Sequence, residues 1–202
     1  MKKLLLTLVP VVALSGCISP KTYVDPTFAK ASYQDVKSVQ KKYSTNVIVE
    51  FQRNGEAFER ANKEVRNHVE RTLRATGVII PSNDNPAFSL KIVVNNLADL
   101  GEAAAKGFGT GLTFGAAGSL VTDYYEVSIT YIDNSGKELT KKYKHALHTT
   151  IGNKKAPFEN VDPTSPADAF GSVVEQVILN FITDMQNNGL LTFVRKIQPV
   201  HS

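Results

Sequence analysis

Residues 124–137, YYEVSITYIDNSGK, decide the fold. Tyr125, Val127, Ile129 and Tyr131 alternate with Glu126, Ser128 and Thr130. A period of two puts one set on a buried sheet face and the other toward water. The run ends in Asp133-Asn134-Ser135-Gly136, where glycine offers the positive φ of a tight reversal. A returning strand is expected from about Glu138 to Thr150. An antiparallel hairpin is therefore the centre from which the other elements are placed.

Upstream, Phe88, Leu90, Ile92 and Val94 alternate with Ser89, Lys91 and Asn95, which predicts another strand. Before it, Phe58, Ala61, Val65, Val69 and Leu73 recur at three and four residues and form one face of a helix, with Gly77 placed for a left-handed cap. Val47-Ile48-Val49-Glu50-Phe51, ended by Asn54-Gly55, predicts the first strand. Downstream, Ser165, Pro166 and Asp168 make a capping box with proline at the first helical position. The helix they start buries Phe170, Val173, Val174, Val177, Phe181 and Met185 and stops at Asn187-Asn188-Gly189. Leu191-Thr192-Phe193-Val194 is a candidate short fifth strand. The order β-α-β-(Gly-rich insertion)-β-β-α predicts an α+β fold. It has a mainly antiparallel four- to five-stranded sheet with two amphipathic helices on one face. A single domain is expected over 45–197, with a short tail at 198–202.

The insertion, residues 101–122, departs from these patterns. It carries no charge from Gly107 to Thr122 and spaces Gly107, Gly111 and Gly115 by four. On a helix these glycines form a smooth stripe where a second backbone can approach, as in membrane helix pairs. Sixteen helical residues reach about 24 Å, short of a hydrocarbon core of about 30 Å. A single crossing would also separate strands that should share one sheet. Phe108, Thr110, Leu112 and Phe114 alternate with small residues too, as in a lipid-facing hairpin, and a loop is the third reading.

At the start, Lys2 and Lys3 precede an apolar run from Leu4 to Leu14 that is too short to span a bilayer. It closes on Leu14-Ser15-Gly16-Cys17, which holds the only cysteine. This resembles a bacterial lipoprotein signal peptide, residues 1–16, cut before a cysteine that then carries palmitate and other acyl chains. The resemblance implies a permanent anchor at Cys17. Ile18, by the usual sorting pattern, implies the outer membrane with the domain facing the periplasm. Residues 17–44, with Pro20, Pro26 and weak periodicity, read as a lipidated tether. Without residues 1–16, 21 of the 23 basic residues face 19 acidic ones, and the net charge falls from +4 to about +2. Nothing in that balance calls for nucleic acid.

The layout resembles the TraT family of surface-exclusion outer-membrane lipoproteins and, more distantly, the CsgG-type curli-secretion lipoproteins. The resemblance implies a homo-oligomer, with Gly107, Gly111 and Gly115 at the membrane or subunit contact. This insertion is shorter than two spanning helices need.

No catalytic constellation stands out, no cofactor or metal is implied, and the chain is expected not to be an enzyme. His145 and His148 are three apart on a strand, point to opposite faces and read as surface residues. His68 reads as a helix-border residue. Lys137, Lys141, Lys142, Lys144, Lys154 and Lys155 gather on and after the returning strand. They suit either a solvated face or anionic head groups and envelope polymers. Two functions stay open. One is a structural, exclusion or export lipoprotein that self-associates through the insertion. The other is a monomeric periplasmic adaptor for a protein or cell-wall polymer.

Overall fold

The computed structural model describes residues 20–98 and 118–192. The hairpin forms between β6 (Ser119–Asp133) and β7 (Glu138–Ile151), with Ser128 opposite Lys142 and Ile132 opposite Glu138. Its turn is held by Asp133, whose Oδ1 accepts from the amides of Ser135 at 2.8 Å and Lys137 at 2.9 Å, while Gly136 takes φ +84°. The same β6 pairs antiparallel with β5 (Phe88–Ala98). β5 pairs parallel with β2 (Tyr43–Arg53). The chain from β2 reaches β5 through α1 (Asn62–Ala75), so the parallel pair follows from the β-α-β crossover.

Seven strands result, in the order β1-β7-β6-β5-β2-β3, with β4 also pairing β2. Among the described residues the sheet is mixed but still mainly antiparallel, with four antiparallel and two parallel pairings, and it has seven strands where four to five are expected. Three short strands account for the excess: β1 (Lys21–Val24), β3 (Glu56–Ala57) and β4 (Ile79–Pro81). Each is too short to show a period, and prolines sit in or beside two of them. β6 also begins earlier than expected and takes in Ser119–Thr122, so the insertion ends by Gly118. Leu191 and Thr192 are not strand, and Phe193 and Val194 lie outside the described residues.

The core lies on one sheet face. Val47, Val49, Leu90, Ile92, Val94, Val127 and Ile129 meet Val65, Val69 and Leu73 of α1 and Val173, Val177, Phe181 and Ile182 of α2 (Pro166–Asn187). α1 starts four residues later than its apolar spacing suggests, because Phe58 precedes a short 3-10 turn at Glu59–Ala61. The caps form as read. Ser165 accepts from the Asp168 amide at 3.1 Å, and Gly77 takes φ +71°. Gly171 lets the helices meet, since a Cβ there would fall 2.8 Å from the His68 ring.

Of residues 17–44, read as a tether, the described part, 20–44, is laid into the fold. β1 pairs antiparallel with the edge of β7, from Lys21 opposite Thr150 to Val24 opposite Leu147. Tyr23 is 5% exposed. Beyond it the chain crosses α2. The Tyr33 hydroxyl donates to Glu175 at 2.9 Å, and Gln186 bonds both the amide and the carbonyl of Lys37. This cover explains why α2 buries a broader surface than its apolar stripe implies.

His145 is also a correction, being 1% exposed. Its ring shares the helix-covered face with Tyr143 and Leu147. Nδ1 accepts from the Ala146 amide at 2.9 Å, which leaves Nε2 to donate to Gln176 Oε1 at 2.7 Å. Burial lowers its pKa and holds it neutral, outweighing the opposite effect of its hydrogen bonds.

Two outcomes follow from this packing. Tyr23→Ala should lower the unfolding free energy in a urea titration by roughly 3 kcal/mol, whereas a free tether would leave it unchanged. For His145 the folded pKa lies below the unfolded value near 6.5. Its stabilising contribution is therefore complete above that pH and is lost as pH falls through the window below it. His68, lowered by burial and by Arg71, acts with the same sign. Melting temperature should drop between pH 7 and pH 5, with a shallower slope in His145→Gln.

Candidate functional site

The two ends of the sheet differ. At one end sits the Asp133–Gly136 turn. At the other, β5 finishes at Ala98 opposite Asp123, and β6 starts at Ser119 opposite Ile151. Both sides of the insertion therefore emerge at the second end. The N-terminal chain enters there too, because Lys21 pairs with Thr150, which pairs with Leu120. Gly118 is at φ +67°, and a Cβ there would lie 2.9 Å from the Ile151 carbonyl and collide with the Lys154 backbone. The segment after β7 is thereby packed against the return of the insertion.

A cleft of about 500 Å3 opens near this end, between the sheet and the starts of both helices. Its floor is aromatic. Phe170 stands edge-on to Phe51 with centroids 6.0 Å apart and tilted against Tyr125 at 5.6 Å. Phe58 forms a wall, with the Arg60 guanidinium 4.1 Å from its centroid and that of Arg53 at 5.9 Å. Asn96 and Asp123, joined by a 3.4 Å hydrogen bond, and Glu64 add polar groups. Burial, followed by the Asp123 charge, holds the Tyr125 phenol far above its ordinary pKa. The lining carries no serine, threonine, cysteine or histidine. Such a cleft suits an apolar or aromatic group with charge at its rim, and offers no nucleophile for acyl transfer.

One acid–imidazole–hydroxyl set does come together, on the face opposite the helices. His148 Nε2 lies 3.2 Å from Asp25 Oδ2, and its Nδ1 lies 3.0 Å from Thr122 Oγ1. The set joins three strands and spans residues far apart in sequence, which is why sequence spacing missed it. Its surroundings fit a clamp. Phe158 stands edge-on over the imidazole at 5.0 Å, and the other Asp25 oxygen caps the turn at Pro26–Phe28 by accepting from Thr27. Burial alone would raise the Asp25 pKa, but the bonds from Thr27 and His148 outweigh it and keep the carboxylate ionised. None of the three residues lines the cleft. The set fastens β1 to β6 and β7.

Cys17, Gly107, Gly111 and Gly115 lie outside the described residues. The six lysines do not form one patch. Lys137 follows the turn at one end, and Lys154 and Lys155 follow β7 at the other. Between them Lys144 pairs with Glu126 at 3.8 Å. Among the described residues no cluster of three or more metal-ligating side chains is present, and no helix is long and apolar enough to cross a membrane.

No family model matches the chain. No curated protein sequence matches it either. Solved structures do. Protein XCC0632 from Xanthomonas campestris aligns over 75% of this chain and 91% of its own, at 13% identity and a TM-score of 0.40. A PelC dodecamer from Paraburkholderia phytofirmans aligns over 83% and 96%, at 15% identity and a TM-score of 0.35. A minor lipoprotein from Acinetobacter baumannii aligns over 73% and 91%, at 12% identity and a TM-score of 0.34. Lipoproteins are thus among the structures this chain is similar to, at a level too low to carry function across.

Proposed function

We propose that the chain is a non-enzymatic, lipid-anchored envelope protein that serves a structural, exclusion or export role at the outer membrane. The observation that carries this reading is Leu14-Ser15-Gly16-Cys17 at the end of a short apolar leader. Lipid at Cys17 holds the protein to the membrane, with the folded part toward the periplasm. The insertion, with Gly107, Gly111 and Gly115, packs against lipid or against the same segment of neighbouring copies. Support comes from the shared end of the sheet, where Lys21, Ala98 and Gly118 all sit.

A second reading is a monomeric adaptor that binds an envelope partner. It is favoured by the open sheet face, where Ile48 is 42% and Tyr124 48% exposed, and by the cleft beneath Arg53 and Arg60. Labelled palmitate should enter the wild-type protein and not Cys17→Ser; no incorporation into the wild type would overturn the anchor. Detergent-extracted protein should run as an oligomer in light scattering. Replacing residues 101–117 with a short Gly-Ser linker should give a monomer, and Gly111→Leu should weaken assembly. A monomer at every concentration would leave the adaptor reading in place.

A further inference from the structure

This inference rests on the lipid-anchored reading and deepens it. We infer that the end of the sheet bearing Lys21, Gly118, Lys154 and Lys155 is a lipid-contact surface that binds anionic phospholipid head groups. Three residues separate Cys17 from Lys21, so the two α-carbons are at most about 14 Å apart. Lys21 is fixed to the sheet by its pairing with Thr150. Lipid on Cys17 therefore keeps this end of the sheet near the head-group region.

The chemistry of this end suits that position. Lys21, Lys154 and Lys155 are exposed and make no ion pair among the described residues. Lys154 is held against Gly118, which belongs to the uncharged stretch from Gly107 to Thr122. Val121, beside them on β6, is 40% exposed, and Leu120 is partly exposed. Basic side chains around partly exposed apolar ones match an anionic interface. Glu159 and Asp162, on the segment that follows Lys155, carry the nearby opposing charge and limit the strength of the contact. The turn end, marked by Lys137, lies about 40 Å along the strands and stays clear of the bilayer.

The test uses the mature chain from residue 17 with Cys17→Ser, so that binding is read without the acyl anchor. Its partition onto vesicles of 30% phosphatidylglycerol in phosphatidylcholine is compared with pure phosphatidylcholine by co-sedimentation. Preference for the anionic vesicles is expected, with loss in high salt. Lys154→Glu with Lys155→Glu should lower partition about tenfold or more, whereas Lys137→Glu with Lys142→Glu, an equal charge change, should leave it within about twofold. Circular dichroism confirms that both variants are folded. Equal loss in the two double variants, or equal binding to both vesicle types, would overturn the inference. Absence of palmitate at Cys17 would overturn the anchor reading without altering these partition values.

Discussion

Lys21 lies opposite Thr150 and Val24 opposite Leu147, and the path of residues 20–44 over the fold starts from this edge pairing. Four residues give too few backbone bonds to hold a strand in water. β1 persists because other contacts add to the ladder. Tyr23 is buried, and Thr22 exchanges backbone hydrogen bonds with Thr164 at 2.8 and 3.1 Å. Asp25 then reaches His148, which in turn meets Thr122. The result is that β1 is bound at the end of the sheet where Ala98 and Gly118 lie. Under the proposed anchor at Cys17, orientation at a membrane is a consequence of strand register.

The acid–imidazole–hydroxyl set of Asp25, His148 and Thr122 fastens β1, and Phe158 covers it. The cleft, by contrast, is accessible and lined by aromatic rings, two arginines and the carboxylates of Glu64 and Asp123, with no serine, threonine, cysteine or histidine among its described lining. It lies near the end of the sheet where Ala98 and Gly118 sit.

Much of the fold was legible in the sequence, and the failures have physical reasons. Alternation at Tyr125–Tyr131 and Phe88–Val94 located two central strands, because one face of each is buried and the other is not. Ser165, Pro166 and Asp168 located the start of α2, and Gly77 the end of α1, since caps are local chemistry. β1, β3 and β4 escaped notice because four, two and three residues cannot display a period. His145 was misread because burial at that position depends on Gln176, which is 31 residues away on another element. The tether was misread for a similar reason: its polar residues hide contacts such as Gln186 with Lys37 that exist only across the folded surface. The cleft depends on side chains from both helices and three strands, and no local motif marks it.

The central claim is that the insertion end faces the bilayer and the turn end faces away. It is tested most directly by depth measurement on the lipidated protein in vesicles. Fluorophores placed singly at Asn153→Cys and Asn134→Cys would be quenched by spin-labelled lipid head groups. Strong quenching at position 153 and none at position 134 is the result expected. Equal quenching at the two positions, or stronger quenching at 134, would contradict the account.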